Sequence, residues 1–163
     1  NTRACENLYE IVARYCNLSG KETVLDLYSG TGTIPIWLSD SAAQITGIEI
    51  ITAAVADARK NAALNGIGNC RFVQGDVRQV LPELAQSPDV IIIDPPRVGM
   101  HKDVVAQVLA LKSETVVYVS CNPATLARDL ELLAAAYDVI QVQPVDMFPH
   151  TFHIESVALL KHR

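Results

Sequence analysis

Apolar positions recur along this chain in two rhythms. Leu8, Ile11, Val12 and Tyr15 share one face at helical spacing, so residues 7–16 read as a helix. Short apolar, β-branched runs then mark strands at 23–27, 44–49, 70–74, 90–94 and 115–119. Helical patterns separate them: a short helix from Ile34, then 52–64, 77–85 with Pro82 as a break, 102–111, and 123–136 with Pro123 in its first turn. Thr52 marks a cap region and Asn65-Gly66 a helix stop. Two further strands, 139–145 and 154–161, follow with only a loop between them. Strands alternating with helices predict a parallel sheet covered on both faces. The last pair predicts a hairpin-like antiparallel closure. No repeat, low-complexity stretch or linker intervenes. The chain therefore reads as one doubly wound α/β domain, residues 1–163, with a seven-stranded, mostly parallel sheet and an antiparallel last strand.

Composition narrows the class. At 163 residues the chain can bury one substantial core, and 50% hydrophobic with 19% charged residues is the balance of a folded domain. No apolar run approaches the ~20 residues of a membrane span. Nothing at the start has the form of a secretory leader, so a cytoplasmic protein with no membrane partner is expected. The opening Asn1-Thr2-Arg3 lacks methionine and runs straight into a helical pattern, which reads as a fragment of a longer protein. Cys5, Cys16, Cys70 and Cys121 form no C-x-x-C pair, so neither zinc nor an iron–sulfur cluster is expected, and the thiols read as reduced. The formal charge of −5 makes the chain a poor stand-alone nucleic-acid binder. Any nucleic-acid partner would need a local basic patch or a second domain. A monomer is expected.

Chemistry gathers at the predicted carboxyl ends of strands, where open α/β sheets hold ligands. Val24-Leu25-Asp26-Leu27-Tyr28-Ser29-Gly30-Thr31-Gly32-Thr33 runs from a strand into a glycine turn, and the glycines allow close approach of a ligand. A dinucleotide fingerprint needs a third glycine where Pro35 stands, and Asp26 opposes a pyrophosphate. Asp26 instead suits a cationic or hydroxylated ligand. Glu49 ends the second strand, where a carboxylate can accept from ribose hydroxyls. Asp76 follows the third strand, placed to accept from an adenine amino group. Single acidic loop residues are usually caps; three at consecutive strand ends point to one site. This run resembles the S-adenosylmethionine site of Rossmann-like class I methyltransferases. The resemblance implies Asp26, Tyr28, Gly30, Thr33, Glu49, Asp76 and Asp94 as cofactor-binding residues.

Downstream stand three longer motifs: Asp94-Pro95-Pro96-Arg97-x-Gly99; Val116-Val117-Tyr118-x-Ser120-Cys121-Asn122-x-x-Thr125; and Asp146-Met147-Phe148-Pro149-His150-Thr151-x-His153-Ile154-Glu155. In this order they are similar to the RNA uracil-5-methyltransferase family, which makes 5-methyluridine in tRNA or rRNA. The resemblance implies Cys121 as the nucleophile that adds to uracil C6 and Glu155 as the base that removes the C5 proton. It implies Asp94 and Arg97 at the substrate, with Asp94 on the uracil N3/O4 edge or at the methionine end of the cofactor. Family members carry a separate RNA-binding domain upstream, and some carry a four-cysteine cluster; neither pattern occurs here.

Other readings compete. A strand-end cysteine is often only a small buried hydrophobe. His150 and His153 resemble a metal pair without further ligands. Arg128 and Asp129 read as ordinary helix surface. Adenine-N6 methylases place an aromatic residue where Arg97 stands, and RNA cytosine-5 methylases place Pro-Cys in the loop that here reads Pro-Pro-Arg. A nicotinamide oxidoreductase is disfavoured by Pro35 and Asp26. A cofactor-binding fragment without activity of its own, or a methyltransferase for another base, completes the alternatives.

Overall fold

The computed structural model describes residues 2–84, 87–147, 151 and 154–163. Its elements follow the order α1 (Thr2–Cys16), β1 (Thr23–Leu27), α2 (Thr33–Leu38), β2 (Gln44–Glu49), α3 (Thr52–Leu64), β3 (Cys70–Gln74), α4 (Val77–Val80), β4 (Val90–Ile93), α5 (Lys102–Leu111), β5 (Thr115–Ser120), α6 (Pro123–Leu133), β6 (Tyr137–Val145) and β7 (Glu155–His162). The seven strands form one sheet in the order β3-β2-β1-β4-β5-β7-β6. β7, inserted between β5 and β6, alone runs opposite to the other six strands. The expected fold class is the observed one.

All four residues of β4 are buried because helices cover both faces of the sheet. Side-chain alternation sends Ile91 and Ile93 into the core beneath α4, α5 and α6, with Leu25, Leu27, Val104, Val108, Tyr118 and Leu133. Val90 and Ile92 enter the opposite layer with Leu8, Ile11 and Val12 of α1. Each fully buried aliphatic side chain contributes about 1.5–3 kcal/mol. Among the described residues no helix is long and apolar enough to cross a membrane.

Several boundaries differ from the sequence reading. The predicted 77–85 helix is α4 followed by a 3₁₀ turn, Leu81–Glu83, with Pro82 inside the turn. Pro82 lacks an N–H, which breaks the α-helical ladder there. Thr52 is the first helical residue of α3 rather than its cap; Ile51 holds the cap position without a side-chain bond. Helix α6 ends at Leu133, three residues early, because the chain turns at 134–136 to start β6 with the buried Tyr137.

One glycine is fixed by packing. Gly32 has φ 80°, and a Cβ there would lie 2.7 Å from Cζ of Phe72 and 3.0 Å from Cβ of Ala58. Gly32→Ala is therefore expected to cost about 1–3 kcal/mol through crowding, plus a penalty for the left-handed backbone. Urea unfolding measures it; an unshifted midpoint would show that the glycine turn can give way.

Candidate active site

The strand order reverses between β1 and β4, so the crevice at their carboxyl ends is the switch point at which such sheets bind ligands. Hydrogen bonds extend the sheet into that crevice: Ser29 N donates to Ile48 O at 2.9 Å, Gly75 N to Glu49 O at 3.0 Å, and Asp94 N to Leu27 O at 3.3 Å. Tyr28, Glu49, Asp76, Asp94 and Cys121 consequently line one end of the sheet. Tyr28 holds φ 66°, an unfavourable conformation for a non-glycine residue and one concentrated at functional turns.

The carboxylates differ in how they are held. Glu49 accepts from Gly30 N at 3.0 Å and from Ile51 N at 2.8 Å, tying the glycine turn to the end of β2. Asp26 is not at a strand terminus as expected. It lies inside β1, only 1% exposed, and its Oδ1 has no hydrogen-bond partner among the described residues. Burial raises its pKa well above the usual carboxylate range, and the charges of Asp94 and Glu49 add to the rise. The hydroxyl of Ser29 is likewise buried and unpartnered. Asp76 caps α4 by accepting from Arg78 N at 2.9 Å, and Arg78 also pairs with it at 2.5 Å. That hydrogen bonding holds the Asp76 carboxyl below its ordinary value.

Three of the expected cofactor residues face two openings. Tyr28 and Asp76 line a cavity of about 410 Å³ with Ile50, Pro96, Val98 and Met100. Thr33 lines a separate cavity of about 450 Å³ with Tyr9, Trp37 and Asn61. Tyr9, which no motif marks, lines that cavity beside Thr33 and lies close enough to feel the charge of Asp94. Its position just off the apolar face of α1 is the one signal the sequence offers for it.

Cys121 leaves the end of β5 in a tight turn. Ser120 Oγ donates to Asn122 O at 3.0 Å and accepts from Asn122 N at 3.1 Å, and Asn122 caps α6 through Ala124 N at 3.1 Å. Across the sheet Ser120 faces Ser156 in the β5–β7 pairing, so Cys121 and Glu155 are the next residues on the two facing strands. The thiol is partly accessible, unlike that of Cys16, which burial pushes up to about 12. Asp94 opens into the crevice, but the walls crowd it. Desolvation, then the charge of Glu155, push its carboxyl up to about 7. Glu155 is itself raised by desolvation, against the pull of Arg97. Asp94, Arg97 and Glu155 thus form one electrostatic cluster beside Cys121.

Two expectations change. Arg128 and Asp129 are not ordinary helix surface: Asp129 is completely buried and accepts from Tyr118 Oη at 2.5 Å, Met100 N at 2.8 Å and Arg128 at 2.7 and 2.9 Å. Helical periodicity hides this because the partners lie in β5 and in the loop after β4. His150 and His153 lie outside the described residues, among which no metal-ligating cluster occurs.

A seven-stranded sheet with this crevice defines a Rossmann-like class I methyltransferase fold. An N-methyltransferase from Bradyrhizobium japonicum shares it at TM-score 0.81 over 100% of this chain and 99% of its own, with 12% identity, a likeness of fold alone. The tRNA (uracil-5-)-methyltransferase family matches residues 1–163, and the chain belongs to that family. A Bacteroides thetaiotaomicron protein described as an uncharacterized RNA methyltransferase is 52% identical over 100% of this chain and 37% of its own length. The tRNA (uracil-54, C5)-methyltransferase of Pyrococcus abyssi, solved in complex with S-adenosyl-L-homocysteine, superimposes at TM-score 0.84 with 36% identity, over 94% of this chain and 37% of that one. The chain thus spans little more than a third of the length of these relatives.

Proposed function

We propose that this chain is the catalytic domain of an S-adenosylmethionine-dependent enzyme that methylates C5 of a uridine in RNA, through a covalent bond between Cys121 and C6. The observation that carries the reading is the facing of the Cys121 and Glu155 strands beside the Asp94–Arg97 loop. Family membership and the Pyrococcus relative support the substrate class.

The residues present fit the cofactor. Burial and then the charges of Asp94 and Glu49 work against a charged Asp26, and one of its buried carboxyl oxygens has no partner among the described residues. A ligand carrying positive charge relieves that repulsion, whereas a pyrophosphate would add to it. Glu49 would hold the ribose hydroxyls; Tyr28, Asp76 and the cavity beside them would hold the adenine; Asp26 and Asp94 would face the methionine end. When bound, S-adenosylmethionine supplies an electrophilic methyl group.

Uracil C5 is a weak nucleophile, and the chain's own residues correct this. The Cys121 thiolate adds to C6, forming an S–C6 bond and moving the C5–C6 π electrons toward C5 and O4. Arg97 and Asp94 orient the ring. After C5 has gained its methyl, Glu155 removes the C5 proton; the C5–C6 double bond re-forms and the thiolate leaves. The RNA itself would be held mainly outside this acidic chain. The complete natural protein, given RNA tritiated at uridine C5, is expected to release tritium in proportion to methyl incorporated. Methylation without tritium release would place the methyl elsewhere and end the C5 assignment.

The ribose assignment has its own test. Glu49→Ala removes a charge-assisted acceptor, worth about 1.5–3 kcal/mol, so cofactor affinity should fall roughly 10- to 100-fold by calorimetric titration. Undiminished affinity would move the ribose away from Glu49.

A further inference from the structure

The loop after β4 carries Asp94 and Arg97, and helix α6 grips its far side. Arg97 O accepts from Asn122 Nδ2 at 3.2 Å and from Thr125 Oγ1 at 3.3 Å. Val98 O and Met100 O accept from a terminal nitrogen of Arg128 at 3.0 and 3.3 Å. Met100 N donates to Asp129 Oδ2 at 2.8 Å. Every polar contact in this set comes from α6 or its cap, and α6 begins just after Cys121.

Asp129 is the hub. Its Oδ1 takes both bonds from Arg128, and its Oδ2 takes Tyr118 Oη and Met100 N. One buried carboxylate therefore ties β5, which ends one residue before Cys121, to α6 and to the Asp94–Arg97 loop. Gly99 lets the loop approach: with φ 77°, a Cβ there would sit 2.5 Å from Arg128 Nη2 and 2.7 Å from Asp129 Oδ2. The pair between the buried Asp129 and the half-exposed Arg128 contributes little to stability, because desolvation of the carboxylate offsets the attraction. What this pair supplies is a fixed distance between two loops.

We propose that Arg128 and Asp129 are positioning residues, a clamp that sets the Asp94–Arg97 loop in register with Cys121. The inference rests on the reading of Cys121, Asp94 and Arg97 as the reacting cluster. Asp129→Asn keeps the volume but turns one acceptor into a donor facing either Arg128 or the Tyr118–Met100 side. The loop then shifts, and a displacement near 1 Å at the chemistry costs about 100-fold in rate.

The test uses the complete natural protein, its folding checked by thermal melting. Asp129→Asn is expected to lower kcat for uridine methylation about 100-fold while KM for RNA, whose grip lies elsewhere, stays near the wild-type value. Gly99→Ala, which strikes the clamp from the loop side without removing a charge, should lower kcat in the same way. The double variant should lose little more than the worse single one, since both break one device. A folded Asp129→Asn with wild-type kcat overturns the clamp, and so do fully additive losses. Should Asp129→Asn fail to fold, Arg128→Lys carries the same comparison from a half-exposed position. Hydrogen exchange provides a readout independent of the reaction: in Asp129→Asn, amides of residues 97–100 should exchange faster while β1 and β4 do not change. Unchanged exchange there overturns the clamp even if the protein proved to methylate something other than uridine. Faster exchange in a protein that does not methylate uridine would leave the clamp standing and remove the uridine reading.

Discussion

Cys121→Ala is expected to abolish both uridine methylation and the covalent protein–RNA adduct. In the proposed mechanism the thiol is the atom that makes C5 reactive, so without it the methyl acceptor never forms. Deleting a covalent nucleophile costs on the order of 10⁶-fold in kcat, which would leave only background. Cys121 and Cys70 are both partly exposed, but Cys121 stands at the carboxyl end of β5, whereas burial pushes the Cys70 thiol up to about 11 and leaves it a poor thiolate. Cys70→Ala should accordingly retain adduct formation. The readouts are methyl incorporation and a shifted band on a denaturing gel. An adduct that persists in Cys121→Ala, or that disappears in a folded Cys70→Ala, would take the nucleophile away from Cys121.

The strand ends around this site were legible in the sequence because each obeys a local rule. Val90 to Ile93 is an uninterrupted β-branched run between Pro88 and Pro95-Pro96, too short for a helix and suited to a strand buried on both faces. Asn122-Pro123 announces a helix start, and the cap bond is present. What stayed hidden depends on partners distant in sequence. Asp129 looks like one more charge on α6; its acceptors are spent on Tyr118 and Met100, 11 and 29 residues away. Asp26 follows the strand pattern that places it near the end of β1, but its burial comes from the cover on both faces of that strand, where Val24, Leu25 and Leu27 are buried with it. Thr33 lines a different cavity from Tyr28 and Asp76, which no spacing rule encodes. Tyr9 enters only because α1 packs on the sheet next to α2.

Glu155→Gln should separate the two halves of the reaction. Attack by Cys121 needs no base at C5, so addition and methylation proceed. Glutamine cannot take the C5 proton, the double bond cannot re-form, and the S–C6 bond cannot break. Methylated RNA should then accumulate on the protein as a stable adduct, while turnover falls by the 10²- to 10⁴-fold that a positioned base contributes. A pH profile adds a second signature. Burial raises the pKa of Glu155, and a base must be ionised to act. In the wild-type protein the release step should therefore weaken as pH falls through that raised pKa, at a higher pH than for an exposed glutamate. In Glu155→Gln this acid limb should vanish from the residual rate. Release of free product at the wild-type rate by Glu155→Gln, or an acid limb that survives the substitution, would give the proton to a different group. Asp94, the other carboxyl of the cluster with a raised pKa, would be the next to test, with Asp94→Asn.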